Sequence, residues 1–252
     1  MTSVSRPPRH RSLIGVVTSF WVSVRLAAEL DEIVLPSGRA QLVVDGDHGV
    51  SLLVGPHTSP SVVRSSTFAA GMSLSGVGLR ALSRIPVPEL VDEVVDADVV
   101  LEGGRWTQCL EGSNPATILD RLENEALRHL RVDAEQNQLV RIAERAIRGG
   151  ARLDAVVSAV GADRRRLVPA FREEVGLAPK QYQRILRFQR SLRAMRMPTP
   201  PPLAAIAASC GYADQAHMSR DFKEFSGLTP GRVHGATSTA YNHVPTGAHE
   251  RE

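Results

Sequence analysis

Cysteine is close to missing from this chain. The two that occur, Cys109 and Cys210, lie far apart with no CxxC spacing. That excludes a disulfide scaffold and a thiolate zinc site, and it suits a reducing compartment. Long apolar runs are missing too. None approaches the roughly 18 residues needed to cross a bilayer, and the Arg-containing start has no signal-peptide pattern with a small-residue cleavage site. A cytoplasmic home is expected. What is present is a 252-residue chain with 42% hydrophobic residues, enough for a real core and for two domains.

Charge divides the chain. Residues 136–236 carry 17 Arg or Lys against 8 Asp or Glu, while the remainder carries 13 against 19. The basic half suits a polyanion. Residues 1–12 are polar, basic and Pro-containing, and are expected to form a disordered lead. From Leu13 onward, short β-prone runs such as AQLVVDG and VSLLVG alternate with turn signals at Pro36-Ser37-Gly38 and Asp45-Gly46, which predicts an antiparallel sheet or small barrel. Residues 85–102, rich in acids and valine, read as a short helix and a turn with a solvated acidic face.

An amphipathic helix follows over 115–130. Asn114 is its cap, Pro115 suits its first turn, and Ile118, Leu119, Leu122, Ala126, Leu127 and Leu130 form one stripe. The stripe fits packing on the β half or a homodimer seam. Beyond it a pattern occurs twice. Leu153, Val156, Val157, Gly161, Leu167, Phe171, Gly176, Leu177 and Pro179 are matched in order by Leu203, Ile206, Ala207, Gly211, Met218, Phe222, Gly227, Leu228 and Pro230. Each copy reads as helix, glycine turn, helix and stop, which is the layout of a helix-turn-helix. The turn and core positions are Gly161 and Phe171 in the first copy, and Ile206, Ala207, Gly211 and Phe222 in the second. A helix over 179–197 joins them, spanning roughly 28 Å at about 1.5 Å per residue, and its arginines read as mostly solvated.

At Ile206, Ala207, Gly211, Tyr212, Asp214, Met218, Arg220, Phe222, Lys223, Gly227, Thr229 and Pro230 the chain resembles the AraC family of bacterial transcription regulators. The resemblance covers about 136–236. It implies a seven-helix domain with two helix-turn-helix units, each offering one helix to the DNA major groove. It also implies double-stranded promoter DNA as partner, RNA polymerase if the protein activates, and no enzyme activity. The base-facing positions correspond to Gln215, Ala216, Ser219 and Arg220 in the second unit and to Arg165, Val168 and Pro169 in the first. Gln suits adenine, Arg guanine, and Ala a thymine methyl. Arg164, Arg166, His217 and Lys223 are expected at phosphate. Val168 cannot hydrogen-bond a base, and Pro169 is expected to kink or break its helix. The first unit is therefore expected mainly to grip phosphate, and the second to read bases.

The runs LPSGRAQLVV and LLVGPHTSP also resemble a β-rich sensor domain found before AraC-type domains, which implies a cupin-like barrel and an unidentified small-molecule effector. The expected division is thus a lead over 1–12, a β-rich regulatory domain over 13–135 ending in the amphipathic helix, an all-α DNA-binding domain over 136–236, and a flexible tail over 237–252. The fold class is α+β. His48 and His57 are loop histidines too sparse for a metal site, and His234, His243 and His249 are scattered, so neither metal nor cofactor is expected. Phe20, Trp21 and Trp106 suit the lining of an effector pocket, but plain core packing is the expectation for each. Two alternatives stay open: an enzyme fused to a DNA binder, cupin-like or transferring alkyl groups through Cys109, and a degenerate module binding DNA without sequence preference.

Overall fold

The computed structural model describes residues 2–25, 32–63, 66–101, 103–112, 114–131, 137–159, 161, 163–235 and 243–245. Its N-terminal part is a six-stranded antiparallel sheet. The strands are β1 (Thr2–Arg6), β2 (Val17–Val24), β4 (Gln41–Asp45), β5 (Val50–Val54), β7 (Phe68–Leu74) and β8 (Val94–Asp96), in the spatial order β1-β2-β7-β4-β5-β8. Three further strands, β3 (Glu32–Val34), β6 (Ser61–Val63) and β9 (His243–Pro245), form a small second sheet with β3 in the middle. The expected β-rich half is therefore present.

Alternation along β2, β4 and β5 explains the main sheet. Phe20, Val22, Leu42, Val44 and Leu53 point to one side and are buried. The hairpin between β4 and β5 closes as the sequence suggests. The Asp45 carboxylate accepts from the Asp47 and His48 amides, at 2.9 and 3.1 Å, and Gly49 takes the left-handed conformation there. Pro36-Ser37-Gly38 is no hairpin; it carries the chain from β3 in the small sheet to β4 in the large one. The acidic stretch adds strand β8 as well as the short helix α1 (Ala97–Val100), with Asp96 as its cap.

Helix α2 (Pro115–His129) closes the buried side of the sheet. Asn114 caps it through the Ala116 amide, at 2.9 Å. Of its stripe, Ile118, Leu119, Leu122 and Ala126 are buried in the β core, and Leu127 and Leu130 are partly buried against it. Phe20 and Trp106 also lie in that core, whereas Trp21 is half-buried on the opposite side of the sheet.

The lead and the tail differ from expectation. Residues 2–6 form β1, paired with β2, and Arg6 bridges Glu123 and Asp120 of α2, both at 2.6 Å. The buried Glu123 carboxylate also accepts from the Arg9 and His10 amides, at 2.6 and 2.8 Å. A local reading of polar, basic residues could not see that their partner lay on α2. Within the expected tail, His243–Pro245 pairs with β3; the rest of 237–252 lies outside the described residues.

From Gln138 on, seven helices follow among the described residues: α3 (Gln138–Arg148), α4 (Leu153–Ala159), α5 (Arg164–Val175), α6 (Pro179–Met195), α7 (Leu203–Ser209), α8 (Gln215–Ser226) and α9 (Pro230–Gly235). The core of this half also takes in Ile33, Leu35 and Val77 from the β half.

The Arg6–Glu123 contact generates a pH prediction. Burial alone would raise the Glu123 carboxyl, yet the His10 amide, the Arg6 guanidinium and the Arg9 amide together outweigh it and hold it below the usual carboxylate range. The stability this contributes is complete above the unfolded carboxyl's pKa of about 4.3. It is lost as pH falls through the lower folded value. Glu123→Gln is expected to lower the melting temperature at pH 7 and to narrow the gap between variant and wild type at pH 3, as read by thermal melts at both.

Candidate nucleic-acid interface

The duplicated pattern is a duplicated structure. In the first unit α4 and α5 meet at Gly161; in the second α7 and α8 meet at Gly211. Both glycines have positive φ, +60° and +82°, where a side chain would be strained. Gly176 and Gly227 end α5 and α8 in the same left-handed conformation, at +83° and +71°. Phe171 and Phe222 are buried at equivalent places, as are Val156 and Ile206, while Ala207 is buried where its counterpart Val157 is partly buried.

At the start of α5, the Asp163 carboxylate accepts from the Arg165 amide at 2.9 Å. Arg164 is hydrogen-bonded to Asp154 of α4, while Arg165 and Arg166 extend from the first turn into solvent. Three cations there oppose the helix dipole, so the end is built to gain from an anion. Val168 is half-buried and Pro169 exposed. Contrary to the expected break, α5 runs unbroken from Arg164 to Val175 through Pro169. Leu167 and Phe171 pin both sides of the proline in the core. Packing thereby offsets the lost hydrogen bond to the Arg165 carbonyl.

At the start of α8, Asp214 accepts from the His217 amide at 2.6 Å. Met218, Phe222 and Phe225 face inward, the two phenylalanines against Phe188 of α6 with ring centroids 4.8 and 5.5 Å away. Gln215, Ala216, Arg220 and Lys223 are exposed and Ser219 is half-exposed, so all of them leave the core side. His217 is half-buried, edge-on to Tyr212 at 5.2 Å.

A polar clamp fixes this arrangement. Asp221, on the inner side of α8, is 1% exposed. Its carboxylate accepts from Arg184 Nε and Nη2 of α6, at 3.1 and 2.7 Å, and from Arg187 Nη2 at 3.3 Å. Glu224 takes the rest of the Arg184 fork, at 3.0 and 2.5 Å. Hydrogen bonds from Arg184 to Glu224, and then to Asp221, raise the already high pKa of its guanidinium. Arg187 lies over the Tyr212 ring at 4.5 Å, and burial pushes the Tyr212 phenol up. A fork held at both ends fixes both the distance and the rotation of one helix on the other.

The helix-turn-helix domain family matches residues 156–235. The chain is 34% identical over 77 residues to the HTH-type transcriptional regulator ArgR of Pseudomonas aeruginosa, covering 31% of this chain and 23% of that protein. It is 28% identical over 80 residues to the HTH-type transcriptional regulator MtrA of Neisseria gonorrhoeae, covering 32% and 26%. It therefore spans about a quarter of the length of these curated relatives. A solved structure of a probable AraC family transcriptional regulator from Rhodopseudomonas palustris aligns at 23% identity with a TM-score of 0.36, over 39% of this chain and 96% of that one. Residues 156–235 are an AraC-type helix-turn-helix domain.

Within the AraC-type domain, the clamp is what sequence reasoning missed. The arginines of α6 read as solvated because they recur every third residue. A signal was available in Asp221, which lies three residues after Met218 and four before Phe225 and so sits on the apolar side of α8. A carboxylate there demands a buried cation. Outside the domain, Cys109 is a buried free thiol. Its thiol is 5% exposed, donates to the Arg105 carbonyl at 3.5 Å, and is pushed up to about 11, by burial first and then by Glu125. At neutral pH it is a protonated, covered thiol and a poor nucleophile. Of the two loop histidines, His48 is exposed and paired with Asp45 at 2.9 Å, but His57 is buried, with Nδ1 2.9 Å from the Gly55 carbonyl.

Two stability predictions follow from the domain. Asp221→Ala leaves Arg184 and Arg187 without their buried anion and is expected to cost about 3 kcal/mol in chemical denaturation. Pro169→Ala restores the donor to the Arg165 carbonyl and is expected to stabilise by about 1–2 kcal/mol in the same assay, the gain being reduced by the freer unfolded chain.

Proposed function

We propose that this protein is a sequence-specific DNA-binding transcription regulator, in which α8 is the main base reader and α5 chiefly grips phosphate. The observation that carries this reading is the clamp. Arg184 and Arg187, the cations nearest the second unit's core, are spent on Asp221 and Glu224. Gln215, Ala216, Ser219 and Arg220 are left as the chemistry α8 turns outward, a mix of amide, methyl, hydroxyl and guanidinium that matches base edges.

In the first unit, Arg165 is the group that reaches a base, while Arg164 and Arg166 meet phosphate, Arg164 by exchanging Asp154 for it. His217 and Lys223 do the same beside α8. The 17 residues of α6 span roughly 25 Å, within reach of the ~34 Å between successive major grooves on one face of the duplex. One protomer thereby addresses adjacent grooves, and a homodimer would double the site. The β half is the regulatory part. It answers an unidentified small molecule or a protein contact, and RNA polymerase is the further partner if the protein activates. No described helix is long and apolar enough to cross a membrane; we place the protein in the cytoplasm with its DNA.

Selection of bound sequences from random duplex DNA tests this reading. A single enriched motif is expected. Arg220→Ala is expected to relax preference at one position of it, by about 1–3 kcal/mol of discrimination. Salt-sensitive binding with no enriched motif would instead favour a module that holds DNA without sequence preference.

A further inference from the structure

Gln189 is the residue that neither core packing nor DNA reading explains. It sits in the middle of α6 with 4% of its surface exposed, between the buried Phe188 and Leu192. A helix that needed only packing would carry an apolar residue there, because a buried amide must find partners. The Gln189 amide finds one in the other half of the protein. Its Nε2 donates to the Pro36 carbonyl at 2.6 Å.

Pro36 belongs to the connector that runs from β3 to β4, and the same connector touches α6 elsewhere. Gly38 has φ +68° and lies so close to Tyr182 that a Cβ on it would stand 2.9 Å from the ring. Ile33 and Leu35, which lead into the connector, are buried in the core of the helical half and not in that of the sheet. Tyr182 then leads to the first unit. Its hydroxyl donates to Glu144 of α3 at 2.7 Å, and its ring packs on Phe171 of α5 at 5.5 Å. Phe188, Arg184 and Arg187 lead from the same helix to α8. At its other end the connector enters β4, which lies between β7 and β5 in the middle of the large sheet. The connector is thus held against α6 at one end and continuous with the middle of the sheet at the other.

We infer that residues 33–40 are a positioning element through which the β half sets both reading helices, with Gln189 the positioning residue that registers the connector on α6. The inference rests on the proposed reading roles of α5 and α8. The contact is discrete. A connector displaced by one hydrogen-bond length leaves the Gln189 amide buried without an acceptor, or drives Gly38 into the Tyr182 ring, so two packings are separated by a step and not by a continuous slide.

Hydrogen exchange on the full chain tests it, comparing wild type with Gln189→Met, which keeps the volume and removes the donor. Amides of α5 and α8 are expected to exchange at least about threefold faster in the variant, while those of β2 and β7 keep their wild-type rates. In the same preparations, affinity for duplex DNA is expected to fall about three- to thirtyfold. Uniform acceleration through sheet and helices would reduce Gln189 to a plain stability residue and overturn the inference, as would unchanged exchange in α5 and α8. Selective acceleration in a protein that binds no DNA would uphold the positioning role and remove the DNA-reading role. If Gln189→Met fails to fold, Pro36→Ala, which keeps the carbonyl but loosens the connector, carries the same test with the same expected pattern.

Discussion

A carboxylate on the inner side of a helix has to be met by a cation, and in this protein the rest of the helical half is arranged around that requirement. Asp221 would be insupportable against Met218, Phe222 and Phe225 without Arg184 and Arg187. Those two arginines come from α6, so the helix that joins the two helix-turn-helix units also fixes α8 in rotation. The aromatic contacts of Phe188 with Phe222 and Phe225 supply cohesion but would tolerate some slide. The ion pairs remove that freedom, because a guanidinium fork is satisfied at one angle.

The β half is built on a similar bargain. One side of the sheet is closed by α2, which buries Ile118, Leu119, Leu122 and Ala126 of its apolar stripe in doing so. Two carboxylates of α2, Glu123 and Glu125, are nonetheless buried; Glu123 is satisfied by two backbone amides from outside the helix and Arg6, and Glu125 by one such amide and Arg128. Glu123 holds the start of the chain down and Glu125 holds the Arg105 amide. Through these contacts, residues that look like solvated lead and loop become part of the domain wall.

The two helix-turn-helix units share turn glycines, stops and core positions, yet they are held differently. The second leans on α6 through ion pairs. In the first, Gly176 at the end of α5 packs against Val87 and Val91 of the β half so tightly that a Cβ would come within 2.7 Å of Val91. A duplication that kept its core has thus acquired two distinct supports, one internal to the helix-turn-helix domain and one from the β half.

The amino-acid sequence alone determined whatever depends on local periodicity and backbone freedom. The paired glycines, the apolar spacing that makes α5 and α8, the Asn114 and Asp163 caps and the alternation of the β strands are all short-range, so they were legible in Leu153 to Pro230, in Asn114 and Pro115, and in Gln41 to Val54. Only the tertiary structure decided the pairings that cross the chain. Arg184 meets Asp221 across 37 residues, Arg6 meets Glu123 across 117, and Gln189 meets Pro36 across 153. None of these has a sequence period, because each partner is chosen by which elements pack together. Pro169 shows the same limit from the other side. Its local rule predicts a broken helix, but two buried neighbours, Leu167 and Phe171, hold α5 together, and their burial exists only once α3 and α6 have closed around them.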